Sequence, residues 1–108
     1  MGIRLPGPIE VYFISENAHD TTLLDQCFAA DASVRDEGKT IEGLVAIKTW
    51  RIETGKKYNH TVEPLAIAER DGKVVVSGKV SGNFPGSPVT LEHIFEIKGD
   101  RIVLLEIR

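Results

Sequence analysis

From Asn59 to the C-terminus, apolar residues recur at every second position, and the run is broken by three turn-forming tetrapeptides: Arg70-Asp71-Gly72-Lys73, Pro85-Gly86-Ser87-Pro88 and Lys98-Gly99-Asp100-Arg101. A period of two places successive side chains on opposite faces of a strand. Four such runs joined by short turns imply an antiparallel meander. In the first, over 59–69, the apolar parity slips at Pro64 between Val62 and Leu65, as at a bulge or an edge position. In the second, Val74, Val76, Gly78, Val80, Gly82 and Phe84 share a face, and the paired glycines imply a sharp bend. In the third, Val89, Leu91, His93, Phe95 and Ile97 share a face, so His93 points inward. The last, 102–108, is apolar on both faces until Glu106, which leaves Val75, Ile94, Ile102 and Leu104 as a strip on the outer side of the sheet.

The N-terminal half has a different period. Pro8 suits the first turn of a helix over 8–18, along which Ile9, Tyr12, Phe13 and Glu16 form one stripe. Asp20 is an N-cap for a second, short helix with Leu23, Leu24, Cys27 and Phe28 on its buried face. A strand over 31–36 then puts Ala32, Val34 and Asp36 on one face and Ser33, Arg35 and Glu37 on the other. After turns at Gly38 and Gly43, a third helix runs from about 44 to 55 with Leu44, Ile47, Trp50 and Arg51 facing the core and Gly55 as its stop. Asp36 is the anomaly in this pattern. A carboxylate on the apolar face of a strand is costly unless a partner or a function justifies it.

At 108 residues the chain is long enough for one core and too short for two, so residues 1–108 form one domain. The formal net charge of -3 is made of interspersed signs with no basic block, which argues against nucleic acid and anionic membrane as partners. The single Cys27 forbids an internal disulfide. No apolar run approaches the roughly 20 residues of a membrane span, and the opening MGIRLPGPIE lacks the regions of a signal peptide, so a cytoplasmic location is expected. His19, His60 and His93 show no metal-ligand spacing, and neither a metal nor another cofactor is expected.

The segments VYFISENAHD, CFAADASVRDEG, TIEGLVAIKTW and LEHIFEIKGDRIVLLEI, in that order and spacing, resemble the NTF2-like superfamily, and within it ketosteroid isomerase and the SnoaL-like polyketide cyclases. The resemblance spans essentially the whole chain. It implies an α+β cone, with three N-terminal helices packed on the concave face of a strongly bent, mainly antiparallel sheet, and a homodimer packed sheet to sheet. Carried over residue by residue, Tyr12 falls at the oxyanion-stabilising tyrosine of ketosteroid isomerase and Asp36 at its general base. His93 stands where that enzyme has a protonated aspartic acid, a departure from its pattern.

Such a trio suits removal of a proton next to a carbonyl, which needs a base and donors aimed at the oxygen that becomes negative. Asp36 is the candidate base, and Tyr12 and His93 are the candidate donors. Val34, Trp50, Val80, Phe84, Leu91, Phe95 and Leu105 are the candidate apolar wall around a small apolar or carbonyl-containing ligand. Each residue also has a plainer role: Tyr12 as amphipathic core, His93 as a hydrogen-bonded core histidine, Asp36 as a turn cap. Two readings follow, an isomerase or cyclase and a non-catalytic ligand-binding or dimerisation module.

Overall fold

The computed structural model describes residues 4–108; the first three positions of the lead-in lie outside it. The elements are α1 (Gly7–Ala18), a 3-10 helix (Thr21–Gln26), β1 (Phe28–Asp36), β2 (Lys39–Glu42), α2 (Leu44–Tyr58), β3 (Thr61–Arg70), β4 (Lys73–Ser81), β5 (Val89–Lys98) and β6 (Arg101–Ile107). One six-stranded sheet has the order β2-β1-β6-β5-β4-β3. Strands β3 to β6 are the antiparallel meander that the alternation implies. Strand β1 joins it parallel to β6, with Val34 opposite Leu105, so the sheet is mixed.

Both α-helices pack on one face of this sheet. Ile9, Tyr12 and Phe13 of α1 and Ile47 of α2 form a single buried cluster with Ala32, Val34, Val62, Val76, Phe95 and Leu105 of the strands. Asn17 ties α1 to β3, its amide donating to the Val62 carbonyl at 2.9 Å and accepting from the Val62 N–H at 2.7 Å. The slip expected at Pro64 is present as a register shift between Pro64 and Ala66 on this edge strand.

Several expectations need correcting. The second helix is 3-10 rather than α; Asp20 caps it by accepting from the Thr22 N–H at 3.0 Å, but Phe28 belongs to the following strand. A strand hydrogen-bonded to β1, Lys39–Glu42, fills the stretch expected only to turn, so the sheet begins before the last helix. Helix α2 runs three residues past Gly55 and ends at Asn59, whose left-handed φ of 45° closes it. The Gly55 position has another use: a Cβ there would lie 3.3 Å from His19 Nδ1. Ile102 is fully buried in the core rather than on the outer face, because a register shift between Glu96 and Ile97 rotates it inward. With Val75 and Ile94 already buried, the strip on which a sheet-to-sheet homodimer would rest is narrower than the alternation implies.

The paired glycines of the second run mark close approach. A Cβ on Gly82 would sit 2.7 Å from the Tyr58 carbonyl oxygen and 2.9 Å from His60 Cβ, so the segment after β4 closes directly on the end of α2. Gly82→Ala is expected to destabilise the chain by about 1–3 kcal/mol, because backbone must move to relieve the contact. Urea denaturation measures it; an unchanged midpoint would refute the close approach.

Candidate functional site

Strand β1 ends at Asp36 because Glu37 and Gly38, with φ of 53° and 74°, turn the chain straight into β2. This leaves the Asp36 carboxylate at the open end of the sheet, facing α2. There the Trp50 indole N–H donates to Asp36 Oδ2 at 3.2 Å. Trp50, Thr54 and Tyr58 follow one another along α2 at intervals of four, so the helix presents one continuous face to the same hollow.

The hollow has a volume of about 220 Å³. Its apolar walls come from Trp50, Val80, Phe84, Leu91 and Ile107, and its polar lining from Glu16, Asp36, Arg51, His60 and His93. Asp36 and His93 therefore face one cavity. Burial, and secondarily Glu37, pushes the Asp36 carboxyl above its ordinary value, against the opposing pull of the Trp50 N–H and Arg51. Burial lowers the His93 imidazole, with Glu16 opposing, so His93 is neutral at pH 7; its Nδ1 has no protein partner.

Tyr12 stands behind this lining. It is fully buried among Phe13, Phe28 and Phe95, with ring centroids 5.2 to 5.9 Å away, and its hydroxyl accepts from Arg51 Nη2. Among the proposed wall residues, Trp50, Val80, Phe84 and Leu91 line the hollow, whereas Val34, Phe95 and Leu105 are wholly enclosed in the core beneath it.

The cavity floor is a charged network that the alternation does not announce. Arg51 is 5% exposed and stacks over the Trp50 ring at 4.0 Å. Its Nη1 donates to Glu16 Oε2 at 3.2 Å. His60 Nε2 lies 2.7 Å from the same carboxylate oxygen and 2.9 Å from Arg51 Nη1. A guanidinium has no acceptor, and one ring nitrogen cannot both donate and accept, so the two contacts on Nε2 compete. The charge on Glu16 decides between them. Burial would raise its pKa, but the Arg51 guanidinium and the His60 hydrogen bond outweigh that and hold the carboxyl at about 2. Glu16 is therefore ionised, His60 donates Nε2–H to it, and the His60–Arg51 approach is packing. Glu16 Oε1, Arg51 Nε and His60 Nδ1 then remain without protein partners, all on residues that line the hollow.

Arg51, His60, Thr54 and Tyr58 line the hollow, and the local sequence pattern does not place them there. The available signal was a cation on the core-facing stripe of α2 and a carboxylate one turn after Tyr12 on that of α1. Two opposite charges on two buried stripes imply that the stripes meet. No group of three or more potential metal ligands occurs among the described residues, and none of their helices is long and apolar enough to cross a membrane.

The sequence profile of the SnoaL-like domain matches residues 9–105. The chain belongs to the SnoaL-like family. A crystal structure of a Sinorhizobium meliloti protein, described as a candidate polyketide cyclase, is 44% identical to this SnoaL-like chain, with a TM-score of 0.92 over 96% of this chain and 95% of that one. A Catenulispora acidiphila protein with a ketosteroid isomerase-like fold, solved in complex with trimethylamine, is 19% identical with a TM-score of 0.82, over 97% and 86% of the two chains. An NTF2-like protein from Cytophaga hutchinsonii is 10% identical with a TM-score of 0.79, over 100% and 91%. These last two show the fold alone. Among curated proteins, none matches the chain.

Proposed function

We propose that this SnoaL-like domain binds a small carbonyl compound and removes a proton from the carbon next to the carbonyl, as an isomerase or cyclase does. The observation that carries the reading is Asp36, a carboxylate made more basic by burial, in one apolar-walled hollow with Arg51 and His93. Asp36 accepts the carbon-bound proton, and the electron pair left behind moves onto the carbonyl oxygen. The unpartnered Arg51 Nε–H and the neutral His93 imidazole supply donors for that oxygen, while Val80, Phe84 and Leu91 limit access of water. Tyr12 acts through Arg51, by fixing its guanidinium. The proton then returns from Asp36 to a different carbon, or the enolate carbon attacks a second carbonyl, whose oxygen becomes an alkoxide and takes the proton from Asp36. Similarity to a candidate cyclase supports this reading, and the trimethylamine complex of a neighbour supports uptake of small organic molecules by the fold.

The test is exchange of ketone α-protons for deuterium in heavy water, followed by proton NMR. Because Asp36 works ionised and its pKa is raised, the rate should climb with pH through a midpoint above the ordinary aspartate value of 3.8. A rate independent of Asp36 would remove the assignment.

The placement of the Tyr12 hydroxyl favours a second reading, a binding module without turnover: it is spent on Arg51 rather than offered to the hollow. That reading predicts saturable binding with no exchange above the buffer rate.

A further inference from the structure

Beside the hollow, on the other side of Asp36, a second lobe of about 160 Å³ lies between α2 and the β1–β2 hairpin, and Asp36, Glu37, Trp50, Thr54 and Tyr58 line both. The lobes differ in chemistry. Arg51, His93 and most of the apolar wall belong to the inner lobe alone, whereas Lys39, Glu53 and Lys57 belong to the outer lobe alone. The Tyr58 hydroxyl donates to Glu37 Oε1 at 3.3 Å at the junction, joining the end of α2 to the hairpin turn.

We infer that the ligand is bipartite: a single ring and its carbonyl occupy the inner lobe, and an uncharged polar tail leaves through the outer lobe. This rests on the proposed site and adds its substrate class. Size is the first ground. Sites that enclose drug-sized ligands run to roughly 300–1,000 Å³, and the inner lobe, at about 220 Å³, falls below that range, which favours a single ring over a tetracyclic ketone. Position is the second. Asp36 lines both lobes while Arg51 and His93 line only the inner one, so the carbonyl oxygen points inward and the acidic carbon lies at the junction, where the tail begins. Charge is the third. Lys39 and Lys57 share this lobe with Asp36, Glu37 and Glu53, so a tail of either sign meets like charge as well as opposite charge, an anionic tail meets the more of it, and a neutral hydrogen-bonding tail meets neither penalty.

Trp50 is the only tryptophan and lines both lobes, so its fluorescence reports occupancy of either. Four probes separate the terms: acetophenone, 3-benzoylpropionamide with a neutral tail, 3-benzoylpropionate with an anionic tail, and the tetracyclic 4-androstene-3,17-dione. The amide should bind about tenfold more tightly than either acetophenone or the carboxylate, a step worth one decade in Kd, and the tetracyclic ketone should bind least. Glu53→Phe, on an exposed helix position, fills the outer lobe and should bring the amide down to the affinity of acetophenone, itself unchanged. Tighter binding of the tetracyclic ketone, equal binding of amide and acetophenone, loss of both in Glu53→Phe, or no binding of any probe at millimolar concentration would each overturn the inference. Missing deuterium exchange in a protein that keeps this order of affinities would instead remove the catalytic reading and leave the bipartite ligand standing.

Discussion

Asp36→Asn is expected to lower the rate of α-proton exchange by about 10²–10⁴-fold, the range lost with a positioned general base, while the protein remains folded. The amide keeps the shape of the carboxyl group and an oxygen to accept from the Trp50 indole N–H, so the hollow survives. Stability should hold or rise. A carboxyl whose pKa is raised on folding is disfavoured as an ion in the native state, so its stabilising contribution is full at low pH and is lost as pH rises through the native value. Asn carries no such ion. The variant should therefore match the wild type near pH 3 and melt at the same or a higher temperature near pH 7. Thermal melts at the two pH values, run beside the exchange assay, check both halves. A variant that loses exchange and also melts far lower at pH 7 would show Asp36 to be structural.

Glu16→Gln is expected to be the most destabilising single change in the site, at about 3–5 kcal/mol, because it leaves the Arg51 guanidinium buried without its counter-charge. On a domain of this length that is a fall of roughly 12–20 °C in Tm. The pH dependence identifies the cause. Glu16 falls from 4.5 to about 2 on folding, so its contribution is full above pH 4.5 and is lost as pH drops toward 2. The shift corresponds to on the order of 3 kcal/mol at neutral pH. Wild-type stability should decline across that window, and the deficit of Glu16→Gln should shrink with it. A deficit that stays constant from pH 7 to pH 3 would place the loss in packing instead of charge.

Local pattern carried most of the architecture. The alternation from Asn59 onward, the three turn tetrapeptides and the slip at Pro64 were sufficient to read the meander, because strand periodicity and turn chemistry depend on near neighbours in the chain. Its failures were also local. Lys39–Glu42 is too short and too exposed to show an alternation, and the shift that turns Ile102 inward leaves no mark on the residues around it. Gly55 carried a stop signal, but the left-handed residue that ends α2 is Asn59.

By itself the sequence determined an α+β domain with Asp36 on the apolar face of its strand and His93 pointing inward. Only the tertiary structure decided which groups those two meet. Arg51 reaches Tyr12 across 39 positions and Glu16 across 35, joining the buried stripes of α1 and α2 into one charged floor. Tyr12 is thereby hydrogen-bonded to Arg51 behind the lining, and Arg51, not Tyr12, lines the hollow. The physical reason is range: periodicity states which face of an element is buried, but the protonation and partners of a buried charge are set by elements that pack against it from elsewhere in the chain.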